Sequence, residues 1–209
     1  MKHIKKTSPP PFFSSTVAGL TAWRHFSKKR STKQHILQEE QNYLCCYCEK
    51  RVSLDNSHLE HIYPKSKYPS QTFDYNNLIV SCEGTHCNLD ESTSKNICGH
   101  KKLNEFNPIN FLDPTTTTDI GEYFIYNKEG EILASTKDSV KADYMINTLN
   151  LNYSGLIESR KNTVRALVNA FRRLSLNQGQ QEQKLKTILA NESQDFISFL
   201  RHYFNPIVS

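Results

Sequence analysis

The chain has 209 residues, with 26 Lys and Arg against 21 Asp and Glu, a formal net charge of +5 and a hydrophobic fraction of 37%. This suits one ordinary domain, or a small catalytic module with an accessory one, and excludes disordered and collagen-like chains. No apolar run approaches the roughly 20 residues that span a bilayer, and the basic start lacks an apolar segment of signal-peptide length, so a cytoplasmic protein without a membrane partner is expected.

In chain order, the first dozen residues are basic and contain three consecutive prolines, which exclude regular helix and central strand. Residues 1–31 therefore read as a basic, Pro-rich arm. Thr32 to Tyr43 has helix-forming content, with Ile36, Leu37 and Tyr43 available to one buried face. From Leu44 to about Phe106 the sequence is dense in Cys and His, and two short apolar runs, Ser57 to Tyr63 and Asn77 to Ser81, read as strands separated by a turn-rich loop. Helix signals return after Asn96. Between Glu122 and Ser135, two β-prone stretches flank Asn127-Lys-Glu-Gly130, as in a hairpin. Leu156, Val164, Leu167, Val168, Phe171 and Leu174 then recur at helical spacing, as do Leu185, Ile188, Leu189, Phe196, Phe199 and Leu200. Those stripes predict a helical scaffold or partner surface. The expected class is α+β, divided into an arm (1–31), a Cys/His-rich core (32–113) and a hairpin with helices (114–209).

Six cysteines lie between Cys45 and Cys98. In a reducing compartment such a set, opening with Cys45-x-x-Cys48, points to metal binding rather than disulfides. The x2 spacing lets two thiolates from a tight turn share one tetrahedral zinc, with Cys46 pointing elsewhere. The second pair comes from Cys82, Cys87 and Cys98, and spacing alone favours Cys82 with Cys87. A Cys3His site completed by His100 is a further arrangement the ligand types allow.

Ser57-His-Leu-Glu-His-Ile-Tyr-Pro-Lys-Ser66 is the most informative tract. On a strand His58 and Glu60 share one face and His61 takes the other, so Glu60 and His61 converge on one phosphate only at a twisted strand end. Asn77, just before the second apolar run, can bond backbone groups across the loop and fix the histidine strand in register. Cys98-Gly-His-Lys-Lys-Leu-Asn104 offers His100 near a helix start, with Asn104 one turn later, while Cys87-Asn88 offers Asn88.

Cys45-x-x-Cys48, Leu59-Glu-His-Ile62 with Pro64 and Lys65, Asn77-Leu78, Ser81-Cys82 and Cys98-Gly-His-Lys-Lys102 resemble the HNH nucleases, and within them the nuclease subunit PtuB of Septu defence systems, also found beside retrons. His58 fits the group's His-x-Glu-His pattern. The motif likeness runs from about Leu44 to Asp113. It implies a zinc-stabilised ββα-metal core, zinc on Cys45, Cys48, Cys82 and Cys98, and a variable insertion from Thr85 to Asn96. The chain departs from the general pattern in placing Gly99 between the fourth cysteine and His100.

On this resemblance Glu60 and His100 are expected to hold one catalytic divalent ion, Mg2+ or Mn2+, with Asn88 the rival of His100. His61 is the expected general base on water, with His58 and Asn77 in the same machinery. Lys65, Lys67, Lys101 and Lys102 flank the site and are expected to track a phosphate backbone. Expected partners are a nucleic-acid substrate, with DNA favoured over RNA, and a PtuA-like ATPase subunit, with or without a retron reverse transcriptase and its DNA/RNA product. Competing readings are a zinc-stabilised nucleic-acid binding or adaptor module that does not cut, and a toxin-like ribonuclease acting on tRNA.

Overall fold

The computed structural model describes residues 1–84 and 96–208. Its centre is a pair of antiparallel strands, β1 (Ser57–His61) and β2 (Leu78–Cys82), with His58 opposite Ser81, Glu60 opposite Ile79 and His61 opposite Leu78. Every residue of β2 is buried. Its Leu-Ile-Val run has no polar alternation because the strand is covered on both faces, by helix α2 (Lys29–Glu39) and by the short helix α3 (Cys98–Lys102). The strand, loop, strand, helix order read from the sequence is thus present as one layered unit.

Element ends follow local backbone demands. The helix expected from Thr32 to Tyr43 runs instead from Lys29 to Glu39, and Asn42 and Tyr43 follow in the left-handed region with φ of 50° and 59°. β1 stops at His61 because the Tyr63 backbone is taken by the Asn77 side chain. β2 starts one residue late because Asn77 closes a 3-10 turn capped by Asp74, whose carboxylate accepts from Asn76 N.

The Pro-rich segment read as an arm lies against the body. Met1, Ile4 and Phe13 join the buried apolar cluster, Phe13 on helix α1 (Phe13–Val17). Ile4 N donates to Pro114 O at 2.7 Å, and the Lys6 ammonium bonds Glu40 and Leu78 O at 2.7 and 2.9 Å. Three prolines do not prevent this, because an extended segment needs no helical or ladder hydrogen bonds.

The hairpin forms from β3 (Phe124–Tyr126) and β4 (Ile132–Ala134), with Gly130 at φ 86° in the turn. Four helices follow, α4 (Ser139–Thr148), α5 (Ser154–Arg173), α6 (Gln178–Ala190) and α7 (Ile197–Val208). The Asp138 carboxylate caps α4, and an Asn177/Gln180 capping box opens α6. Helix α7 is tied to the cysteine turn. Ser198 N and Oγ donate to the Glu49 carboxylate, and Phe196 N donates to Glu49 O. The apolar cluster runs without a break from Met1 through β2 to Phe199 and Leu200. Among the described residues no helix is long and apolar enough to cross a membrane.

Candidate metal centre and active site

The cysteine turn is a small antiparallel knuckle. Leu44 bridges Arg51, Cys45 N donates to Lys50 O at 2.9 Å, and Glu49 turns the chain at φ 62°. Cys45 and Cys48 lie on it, Cys82 ends β2 and Cys98 opens α3. All four are buried, with their sulfur atoms within 4.8 Å of one another. A tetrahedral zinc with Zn–S near ~2.3 Å separates its sulfurs by about 3.8 Å, so small side-chain adjustments let these thiols hold a metal ion. Burial opposes ionisation of Cys45, yet hydrogen bonds from the neighbouring thiols pull it well below the usual thiol range. Cys46 stays outside the group, and burial pushes its thiol well up. Its backbone N donates instead to Val80 O at 3.0 Å, pinning the knuckle to β2. Cys98 completes the cluster among the described residues, and Cys87 and Asn88 lie outside them.

On one face of β1, His58 and Glu60 point toward α3. Glu60 Oε1 accepts from Lys102 Nζ at 2.9 Å and from Tyr47 OH at 3.5 Å, and His58 Nε2 lies 3.4 Å from Oε2. Burial pushes the Glu60 carboxyl up, but the His58 hydrogen bond and the Lys102 charge outweigh it and hold the carboxyl below its ordinary value. The His100 ring stacks on His58 with centroids 4.3 Å apart and planes 11° from parallel. His58 Nδ1 is buried and has no hydrogen-bond partner among the described residues.

Gly99 is what allows this approach. A Cβ there would sit 2.6 Å from Glu60 Oε2 and 2.7 Å from His58 Nε2. Gly99 N donates to Ser81 Oγ at 3.0 Å, which locks α3 to β2. The glycine between Cys98 and His100 therefore lies where α3 comes closest to His58 and Glu60.

His61 takes the other face. Its Nε2 lies 3.0 Å from Thr72 O, and a carbonyl can only accept, so Nε2 carries the proton and Nδ1 keeps a lone pair. The ring packs edge-on against Trp23 at 4.5 Å. Burial lowers its pKa below the usual histidine value, partly offset by the Thr72 carbonyl. Asn77 Oδ1 accepts from Tyr63 N at 2.7 Å, and Nδ2 donates to Tyr63 O and Gln71 O at 3.1 and 3.0 Å, so Asn77 braces the loop behind His61.

The structure thus gathers His58, Glu60 and His100 on one side and His61 with Asn77 on the other. Lys102 joins the two, donating to Glu60 Oε1 and to His61 O at 2.9 Å each. The expectation that Lys102 tracks a phosphate backbone is corrected here, because its side chain is wholly buried against Glu60. Lys65, Lys67 and Lys101 are exposed. Sequence reasoning also missed Trp23, which lies 38 residues before His61 with no motif to announce it. Both Glu60 oxygens are engaged, Oε1 by Lys102 and Tyr47 and Oε2 by His58, so the carboxylate faces the imidazole through Oε2.

No family profile matches the chain. It is 33% identical over 141 residues to a candidate HNH endonuclease of retron Vc95 from Vibrio cholerae, covering 64% of this chain and 62% of that protein. It is 29% identical over 135 residues to the Septu protein PtuB of Bacillus thuringiensis, covering 61% of this chain and 47% of PtuB. The likeness to HNH-type nucleases and to PtuB is distant but consistent, and the chain spans less than two thirds of either relative.

Proposed function

We propose that the protein is a metal-dependent HNH endonuclease that hydrolyses nucleic-acid phosphodiester bonds as the effector of an anti-phage defence complex of the Septu or retron type. The observation that carries this reading is the His58, Glu60 and His100 group, held over β1 by α3 through the buried thiols. The likeness to a retron-associated HNH protein and to PtuB supports the same reading. Residues 32–113 would form the nuclease core, and 114–209 the scaffold that meets partners.

Zinc would be held by Cys45, Cys48, Cys82 and Cys98, as a structural ion. A divalent ion, Mg2+ or Mn2+, would be held by Glu60 and His100, with His58 beside them, and when bound would neutralise charge on the phosphate and the departing oxygen. His61 acts as the base. With Nε2–H committed to Thr72 O, Nδ1 is the atom able to take a proton from water, and burial keeps the ring neutral near pH 7. Asn77 fixes the loop that supplies the Thr72 carbonyl. Lys102 secures Glu60 to the His61 backbone, so the carboxylate and the base are held by one ammonium.

The expected partner is a PtuA-like ATPase subunit, with or without a reverse transcriptase and its DNA/RNA product. DNA is the favoured substrate. Purified protein incubated with plasmid DNA, single-stranded DNA and tRNA should cleave DNA when Mg2+ or Mn2+ is added, and His61→Ala should not. Absence of cleavage under every condition, including with the ATPase subunit present, would exclude the reading.

A further inference from the structure

The first 38 residues carry eight Lys and Arg and no Asp or Glu, so the whole net charge of +5 originates there and the remainder is slightly acidic. Half of these cations, Lys28, Lys29, Arg30 and Lys33, fall at the start of α2. Lys29, Arg30 and Lys33 line a cavity of about 360 Å³ whose other wall includes Trp23, His58 and Leu59. This cationic hollow therefore opens beside the candidate active site, from a segment outside the motif that defines it.

The groups lining it divide by role. The Lys33 ammonium is committed to Leu54 O and Ser57 O and fixes α2 to the start of β1. Lys29 and Arg30 are held only loosely. Lys29 Nζ donates to Arg24 O and lies 5.7 Å from the Trp23 ring centroid. Arg30 pairs with Asp55, but the two side chains are 66% and 79% exposed, and such a pair contributes only about 0–1 kcal/mol. Both cations can turn to a phosphate at little cost. Their place at the start of a helix without an acidic residue in its first turn opposes the helix dipole, and a bound anion would relieve that.

Trp23 is half-buried, supported by Phe26, Phe73 and the edge of His61. An indole and a half-buried leucine beside two available cations suit an unpaired base attached to its phosphates. A duplex hides its base faces and offers such a wall nothing but backbone.

We propose that this cavity binds the substrate strand as single-stranded nucleic acid, with phosphates on Lys29 and Arg30 and a base against Trp23, next to the bond to be cut. The proposal rests on the nuclease reading and names its substrate class.

The test is fluorescence anisotropy of labelled oligothymidylate and of a matching duplex, without added divalent ion, over a range of salt. Trp23 is the one tryptophan of the chain, so its emission reports stacking directly. The single strand should bind, quench Trp23 and outcompete the duplex. Lys29→Glu with Arg30→Glu should weaken binding at least about tenfold and lower the salt slope by roughly one to two. Zinc content, thermal melting and hydrolysis of bis(p-nitrophenyl) phosphate, a diester with no flanking phosphate for Lys29 and Arg30 to hold, should stay at wild-type levels. Wild-type affinity in the double variant, an unquenched Trp23 or a preference for duplex would overturn the proposal while leaving the nuclease reading intact. Strand binding that depends on Lys29 and Arg30 without hydrolysis of any diester would support the cavity and sink the nuclease reading.

Discussion

Lys102 of α3 and Glu60 of β1 meet in an ion pair removed from water, Nζ to Oε1 at 2.9 Å, with the lysine side chain fully buried and the glutamate nearly so. The same ammonium bonds His61 O, so it determines how the end of β1 is presented. Removing one member of such a pair strands the other charge, which costs about 3–5 kcal/mol. Lys102→Met should therefore lower stability by that order in urea denaturation. Combining it with Glu60→Gln should restore part of the loss, and strict additivity of the two changes would refute the coupling.

The low Glu60 carboxyl sets a pH dependence. Its ionised form is favoured by folding, so the contribution is complete above the ordinary carboxylate value of 4.5 and is lost as pH falls through the lower folded value. Denaturation midpoints of wild type and Glu60→Gln should converge in acid and separate above that range.

For His61 the sign of the shift favours the neutral ring. The base form should be available throughout neutral pH, and the cleavage rate should fall only as pH drops below the usual histidine value of 6.5. His61→Ala should reduce cleavage by about a hundredfold or more, within the range of general-base effects, with zinc content unchanged. A rate profile whose acid limb lies above 6.5 would argue against this histidine as the titrating group.

Gly99→Ala puts a methyl group between Glu60 Oε2 and His58 Nε2 at distances no carbon tolerates. Overpacking of this kind costs about 1–3 kcal/mol. Cleavage should fall sharply while the four thiols still bind one zinc, as read by metal analysis. Retained cleavage would show that the close approach of His58 and Glu60 is not required.

Cys46→Ser and Cys98→Ser separate the thiols by role. Cys46 is outside the cluster, so its serine variant should keep one bound metal per chain. Cys98→Ser should lose it and fail to fold, since four-ligand zinc sites contribute on the order of 10–16 kcal/mol. Equal metal content in both variants would show that the sulfur cluster is not the binding site.

Local patterns carried the elements further than they carried the site. Strand β2 was legible because Leu-Ile-Val is a short apolar run between turn residues, and Asn77 was legible because asparagine before such a run has backbone groups within reach. Spacing could not pair Cys82 with Cys98, since the choice depends on where α3 packs rather than on the number of intervening residues. Lys102 looked like a surface cation because nothing near it in sequence marks a buried acid 42 residues earlier. Met1 and Ile4 looked like part of a free arm because their partners, Glu49 and Tyr126 for Met1 and Pro114 for Ile4, lie far from them in sequence.

Glu49 gives the thiol cluster a reach beyond its own neighbourhood. It sits one residue after Cys48 and takes hydrogen bonds from Ser198 and Phe196, so the entry into the last helix hangs on the turn that presents two of the four sulfurs. A force on that helix would tug at the sulfur turn through two residues, and loosening the turn would slacken the helix in return. The last helix and the sulfur turn are thereby mechanically linked.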